Sequence, residues 1–313
     1  MSLVYWISDG VGAGVDDKGG PDGRTPIATA ILRWIRTRGS PALIVNGGDV
    51  YPDGKTKDFA AFFDQMDRDV SLMCQTPGNH DWRDDAEMAG TGRIPHGYET
   101  FWHGHPESKQ PVDSSRHGGA RYEHFIDLDG WRFIFVDTGD YKKNPWPGGD
   151  PARLSWLKNT LQPGRANILL AHHSRLSRGR HGDNDKLDVL WNALFDDSGA
   201  PRVALTLSGH DHSVSVYGPR TRDPKVTSAD QKTGIHVFVN GAGGNGHYSG
   251  NGLFGLFGGA GTKPDIYFDD DHYCVTRINL IDATSVDVDV LDFGSSAKRD
   301  PVAVAKSLVQ IRL

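Results

Sequence analysis

Strand-like and helix-like segments alternate along most of this chain, and this order constrains the fold more than any other feature. Leu3 to Ile7 is a short run of β-branched and aromatic residues, which is typical of a strand. After it, Ile27, Ile31 and Trp34 recur at the helical spacing i, i+4 and i+7. Further strands are predicted at 43–46, 70–75, 168–171, 203–207, 235–240, 273–280 and 285–291, and further helices at 57–67, 153–161 and 187–195. This order predicts an α/β fold with mixed sheets.

A predicted β-hairpin interrupts the alternation. Two strand-like runs, 122–128 and 131–137, flank Asp129-Gly130, and an Asp-Gly pair in such a place is the strongest short signal for a two-residue turn. Residues 84–120 are polar and rich in Gly and Pro, so we interpret them as a loop excursion. Since neither an internal repeat nor a linker is visible, we expect a single domain over residues 1–313.

Charge and composition exclude several classes of protein. The 34 Lys and Arg against 40 Asp and Glu give a net charge of −6, so neither a nucleic acid nor an acidic membrane surface is an expected partner. The 2 cysteines exclude a disulfide scaffold and a Cys-rich zinc fold. No apolar run reaches about 18 residues, and a strand that starts at Leu3 leaves no room for a signal peptide. We therefore expect a cytoplasmic protein or a mature or trimmed secreted form, and the oligomeric state stays open.

Five of the strand-like runs end in polar residues of the metal-ligand type. They are Asp9, Asp49, Asn79 with His80, His172, and His210 with His212. In α/β proteins, ligands bind at the carboxyl ends of the strands. Carboxylate, amide and imidazole groups without a thiolate suit Zn, Fe or Mn. Without His80, two carboxylates, one amide and three imidazoles remain, and six ligands are too many for one tetrahedral zinc, so the set favours two metals that share a bridging carboxylate.

The spacing of His210 and His212 has a physical meaning of its own. In an extended chain alternate residues face the same side, so both imidazoles can face one site while Asp211 points away. Gly209, which precedes them, allows a close approach of the backbone.

With these motifs the sequence resembles the calcineurin-like metallophosphoesterases, and among them the purple (tartrate-resistant type) acid phosphatases. The resemblance is carried by Gly78-Asn79-His80-Asp81 and Gly209-His210-Asp211-His212, and it covers nearly the whole chain. His181, nine residues after His172, and Asp137-Thr138 also fit that subgroup. The resemblance implies a four-layer α-β-β-α sandwich with two mixed β-sheets.

The resemblance also implies a ligand set for two metal ions. Metal one would be held by Asp9, Asp49, His212 and Tyr51, and metal two by Asp49, Asn79, His172 and His210. Iron paired with zinc, manganese or a second iron is the implied cofactor. Tyr51 lies two residues after Asp49, whereas the subgroup has its tyrosine at three, so packing is the alternative role for Tyr51.

The implied activity is the hydrolysis of small phosphomonoesters by attack of a metal-activated hydroxide. His80 or His181 would protonate the leaving alkoxide, and Asp81 would orient His80 or else cap a helix. The implied substrate contacts are Asn79, His80, His173 and His181. For His173 the alternatives are a hydrogen bond to a metal ligand and a loop position facing solvent.

Two other functions remain open at this point. One is a phosphodiesterase that acts on nucleotide or lipid-headgroup esters with the same metals. The other is a degenerate protein that binds phosphate or a partner without turnover, and the displaced Tyr51 favours it.

Overall fold

The computed structural model describes residues 2–10, 27–50, 56–64, 73–81, 98, 101–102, 123–138, 146–147, 150–161, 165–228, 233–247, 261–295 and 300–310. Within these ranges the strands are β1 (Ser2–Ile7), β2 (Leu43–Asn46), β3 (Met73–Gln75), β4 (His124–Leu128), β5 (Trp131–Val136), β6 (Ala166–Ala171), β7 (Leu205–Ser208), β8 (Val214–Arg220), β9 (Ile235–Asn240), β10 (Tyr267–Asp269), β11 (Cys274–Leu280), β12 (Ser285–Asp292) and β13 (Val302–Gln310). The α-helices are α1 (Ile27–Thr37), α2 (Thr56–Asp64), α3 (Pro151–Thr160) and α4 (Asp188–Ala193).

The strands form two mixed sheets. The first has the order β13-β12-β11-β1-β2-β3, and the second has the order β10-β8-β9-β7-β6-β5-β4. In the first sheet β1, β2 and β3 are parallel neighbours. In the second, β5, β6, β7 and β9 are parallel neighbours. Each sheet therefore presents several carboxyl ends at one edge.

The two sheets pack face to face, with helices outside them. Trp6 of the first sheet and Phe133 of the second belong to one buried cluster between the sheets. On the outer face of the first sheet, Ile31 of α1 packs in a cluster with Tyr5. On the outer face of the second, Trp191 of α4 belongs to a third cluster. This arrangement confirms the predicted α-β-β-α sandwich.

The hairpin prediction is confirmed in detail. Leu128 pairs with Trp131 across the turn. Asp129 and Gly130 have φ values of 48° and 86°, and positive φ at both central residues is the requirement of a type I′ turn. The register of the hairpin follows from this turn, which places Trp131 and Phe133 in the core between the sheets.

Three strands lie outside the sequence prediction, and β8 shows why. It contains Gly218-Pro219, a pair that normally marks a turn. In the structure the pairing register of β8 with β9 shifts between Tyr217 and Arg220, so the irregularity accommodates Pro219, which has no N–H to donate. The other two strands are β10 and β13.

Helix α3 begins two residues before the predicted start at 153. Asp150 accepts a hydrogen bond from the backbone N–H of Ala152, and Pro151 follows it at the first helical position. This pairing of an aspartate cap with proline is a local start signal. No helix in the described part of the chain is long and apolar enough to cross a membrane.

Candidate metal centre

The ends of five strands bring the predicted metal ligands together. Asp9, Asp49 and Asn79 follow β1, β2 and β3 of the first sheet, while His172 and His210 follow β6 and β7 of the second. One oxygen or nitrogen of each of Asp9, Asp49 and His172 lies within 4.8 Å of the others. The same holds for His172, His173 and His210. Side chains from the two sheets therefore meet in two overlapping clusters that share His172.

Three of these residues have a strained backbone. Asp9, Asp49 and His210 have φ values of 58°, 56° and 69°, in the left-handed region that residues other than glycine rarely occupy. Each such residue costs about 1–3 kcal/mol, and such strain clusters at functional sites. The left-handed conformation turns the backbone sharply after each strand, and the side chain points into the cluster.

Asp9 is fully buried, and its two carboxylate oxygens have different surroundings. Its Oδ2 accepts hydrogen bonds from Ser8 Oγ at 2.7 Å and from the backbone N–H of His210 at 2.9 Å. Within the described residues its buried Oδ1 has no hydrogen-bond partner, and this atom lies 3.5 Å from His212 Nε2. A buried carboxylate oxygen in this state is costly unless a cation neutralises it.

Asp49 lies between side chains that come from the two sheets. Its Oδ1 accepts the backbone N–H of His80 at 2.7 Å, and its Oδ2 lies 3.2 Å from His172 Nε2. Burial raises the pKa of Asp49, but the imidazoles of His172 and His80 outweigh this effect and hold the pKa below its usual value. This lowered pKa favours the ionised form that a metal ligand requires.

Backbone carbonyls fix the orientation of two histidines. His172 Nδ1 lies 2.8 Å from the carbonyl oxygen of Gly47, and His212 Nδ1 lies 2.6 Å from that of Gly246. If each Nδ1 carries the proton and donates, each Nε2 is directed at a carboxylate, which is the usual arrangement of a metal-binding histidine. Burial lowers the pKa of His172, but the nearby Asp49 carboxylate raises it to about 10. Within the described residues, His172 Nε2 has no hydrogen-bond partner, which leaves this nitrogen for a cation beside Asp49.

These residues fit a metal ion. Ligands that lie about 2.1 Å from one ion are about 3–3.5 Å from their neighbours. The separations of 3.2 Å between Asp49 and His172 and 3.5 Å between Asp9 and His212 lie within that range. The donor set of carboxylates and imidazoles suits Zn, Fe or Mn.

The geometry around His210 corrects one expectation. The segment after β7 is not extended, because His210 is left-handed and the chain bends there. The rings of His210 and His172 are 5.2 Å apart, whereas His212 approaches Asp9. The two histidines therefore reach opposite parts of the site through a bend, and not through strand alternation.

Asp211, between them, has a task that the sequence did not indicate. Its carboxylate accepts hydrogen bonds from Ser177 Oγ and, at 2.8 Å, from the backbone N–H of His181. It thereby fixes the loop that carries His181. The exposed His181 ring stacks on His210 at 4.1 Å and lines a cavity of about 360 Å³.

Asp81 accepts hydrogen bonds from the loops on both sides of the cluster. The Asp81 carboxylate accepts hydrogen bonds from the backbone N–H groups of Asp49, Val50 and Gly78 and from Gln75 Nε2. Burial, together with the Asp49 charge, raises the pKa of Asp81 to about 7. Asp81 thus joins the loops after β2 and β3, and His80 lies half-buried beside Asp49.

Three of the predicted site residues remain: Asn79, His173 and Tyr51. Asn79 and His173 lie together, with Asn79 Oδ1 and His173 Nε2 3.0 Å apart. His173 is only 2% exposed, which excludes the alternative that it faces solvent. Tyr51 lies outside the described residues, as does most of the excursion at 84–120.

Comparisons with known proteins point to one family and one fold. The family model for calcineurin-like phosphoesterases matches residues 14–214. Over 226 residues the chain is 23% identical to purple acid phosphatase 17 of Arabidopsis thaliana, covering 64% of this chain and 58% of that protein. The structure of purple acid phosphatase PPD1 from yellow lupin (Lupinus luteus) seeds is similar with a TM-score of 0.63 and 17% identity, covering 99% of this chain and 53% of that one. The chain thus spans little more than half the length of these two proteins.

Proposed function

Because the chain belongs to the calcineurin-like phosphoesterase family, we propose that it is a metal-dependent hydrolase of small phosphomonoesters. The family match confirms the resemblance that the motifs predicted. The observation that carries the proposal is the meeting of oxygen and nitrogen ligands from both sheets around Asp49. The similarity to purple acid phosphatases supports the monoester as substrate.

We propose two ion positions with Asp49 shared between them, as the family resemblance implies, and the two clusters that meet at His172 support this proposal. The first would use Asp9, Asp49 and His212, and the second would use Asp49, Asn79, His172 and His210. Tyr51 is a candidate fourth ligand of the first position. Iron with zinc, manganese or a second iron is the proposed content, since the donor set has no thiolate. When bound, such ions polarise phosphoryl oxygens and lower the pKa of water.

The protein's own charge complements that chemistry. Asp9 and Asp49 are fully buried and lie beside the imidazoles of His212 and His172, so the site without ions has little net charge to attract a phosphate dianion. Two divalent or trivalent ions would make the site strongly positive. Phosphate esters would therefore bind only to the loaded protein. The net charge of −6 favours small esters over a nucleic acid as the partner.

His181 is the proposed proton donor to the leaving alkoxide. Its ring is exposed in the 360 Å³ cavity, stacked on the ligand His210, and Asp211 holds its backbone in place. A leaving group in this cavity lies beside an imidazole, which can donate a proton near neutral pH. His80, next to Asp49, is the second candidate and would contact the phosphoryl oxygens.

Elemental analysis of protein purified without a chelator or metal-binding tag tests the metal sites. Two equivalents per chain are expected in the wild type, and fewer than one in Asp49→Ala, which lacks the shared ligand. Asp223→Asn, at an exposed turn, is the matched control and should keep both. A wild type that binds at most one ion after loading with zinc, manganese and iron contradicts the proposal.

Relative turnover of nitrophenyl phosphate and bis(nitrophenyl) phosphate tests the substrate class. Faster hydrolysis of the monoester is expected. Faster hydrolysis of the diester replaces the monoesterase with a phosphodiesterase, and two bound ions without any turnover indicate a phosphate-binding protein.

A further inference from the structure

His173 is placed between a metal-ligand candidate and a buried hydroxyl. Its Nε2 lies 3.0 Å from Asn79 Oδ1, and its Nδ1 lies 3.0 Å from Thr138 Oγ1. Both His173 and Thr138 are buried, at 2% and 3% exposure. The ring also packs against His172 and His210, with centroids 4.7 Å and 4.2 Å away. Both ring nitrogens are thus engaged inside the protein.

The hydroxyl of Thr138 indicates which nitrogen carries the proton. Thr138 Oγ1 accepts the backbone N–H of His173 at 3.1 Å. A buried hydroxyl has one proton to donate, and His173 Nδ1 is the acceptor found for it. With Nδ1 as the acceptor, the proton of the neutral imidazole is on Nε2. That N–H then donates to Asn79 Oδ1.

From this network we infer that His173 is a positioning residue, which holds the Asn79 amide oxygen in place through a chain of hydrogen bonds from Thr138. The inference rests on the proposed function, in which Asn79 is a ligand of the second ion. An amide oxygen has two lone pairs, so Oδ1 can accept from Nε2 and still offer one lone pair to a cation. Without His173, the amide is free to rotate and present its NH₂ group, which cannot bind a cation.

This role differs from two others that the same residue could have. As a substrate contact, His173 would need a ring nitrogen directed at the phosphate, but both face protein atoms. As a fourth imidazole ligand, it would need an unprotonated Nε2, although one of its nitrogens does lie within 4.8 Å of ligand atoms of His172 and His210. The three roles give different outcomes in the experiment below.

Metal affinity, measured by competition with a chromophoric chelator, is the first readout. His173→Phe removes the donor and should weaken the second ion by about 10–100-fold, the usual effect of losing a partner of a metal ligand. His173→Gln keeps an N–H near the place of Nε2 and should restore affinity to within about threefold of the wild type. Thr138→Val removes the hydroxyl with little change of shape and should weaken the second ion in the same direction.

The number of ligating imidazoles is the second readout. In the cobalt-loaded protein, each histidine ligand with a proton on its other nitrogen gives one exchangeable, paramagnetically shifted N–H signal. We expect three such signals, from His172, His210 and His212, in the wild type and unchanged in His173→Gln. Loss of one signal in His173→Gln would mean that His173 is itself a ligand and would overturn the inference.

Three other outcomes also test the inference. Wild-type metal affinity in His173→Phe, with KM raised and kcat kept, would make His173 a substrate contact and overturn the inference while leaving the proposed function intact. If His173→Phe does not fold, unchanged affinity in Thr138→Val refutes the chain of hydrogen bonds. A wild type that binds no metal refutes the proposed function first, and the inference with it.

Discussion

Replacing Gly78 by alanine tests whether the loop after β3 determines the position of Asp49. A Cβ at residue 78 would overlap Asp49 Oδ1 and would lie 2.6 Å from the Asp49 backbone nitrogen. The carboxylate that it displaces also accepts the N–H of His80 at 2.7 Å. We therefore expect Gly78→Ala to lower both the stability of the fold and the metal content.

The expected size of the effect can be estimated from a matched control. A Cβ at Gly246, also in a loop of the site, would meet no atom within 4 Å. Both alanines gain about 0.4–1 kcal/mol by restricting the unfolded chain, so their difference isolates the steric cost. Forcing a methyl group into a packed site costs about 1–3 kcal/mol. With an unfolding entropy of about 2.1 cal/mol/K per residue, this difference corresponds to about 1.5–4.5 °C in Tm for the 313-residue chain.

Thermal unfolding in the presence of chelator measures the stability difference, and elemental analysis without chelator measures the metal content. Gly78→Ala should bind fewer ions than Gly246→Ala, which keeps the carbonyl that His212 contacts. Equal Tm and equal metal content in the two variants would show that the close approach of Gly78 to Asp49 has no energetic consequence, and the argument would be refuted.

Three further predictions concern metal removal, proton donation and pH. Chelation should lower the Tm of the wild type by about 12 °C, since each of two ions at about 1,000 times its Kd contributes about 4 kcal/mol; no change refutes the metal sites. His181→Ala should slow hydrolysis of an alkyl phosphate by about 10²–10⁴-fold but of nitrophenyl phosphate far less, because nitrophenolate leaves without a proton; equal losses exclude His181 as the acid. Burial lowers the pKa of His236 to about 4, so the native state should lose stability as pH falls from about 6.5 to 4, and denaturant titrations should show a smaller loss in His236→Gln.

The sequence was sufficient to predict that Asp9, Asp49 and His172 lie close together, because each follows a strand with a clear pattern. Asp9, Asp49 and His172 follow buried runs, and parallel strands bring their ends to one edge. The hairpin at Asp129-Gly130 was equally clear, because few residues tolerate two successive positive φ angles. Strand ends and tight turns of this kind depend on residues that are close together in the sequence.

What the sequence could not reveal depends on contacts between distant backbone atoms. His172 and its acceptor, the carbonyl of Gly47, are 125 residues apart, and a backbone carbonyl has no side-chain signature. The bend at His210 is also invisible in the sequence, because a left-handed φ of 69° is uncommon for a residue other than glycine. Asp211 was expected to point away from the site, yet only the fold shows that Ser177 and His181 lie there to meet it.

The division of the ligands between the two sheets has a consequence for how the protein matures. Asp9, Asp49 and Asn79 come from one sheet, and the histidines after β6 and β7 come from the other. An ion bound between them acts as a cross-link between segments more than 90 residues apart, as in the pairing of Asn79 with His173, which are 94 residues apart. A complete site exists only after the sheets have docked, because the long stretches of chain between these residues must close before the residues can contact one another. Binding of an ion that joins both sheets would therefore be a late event, after the sandwich has assembled.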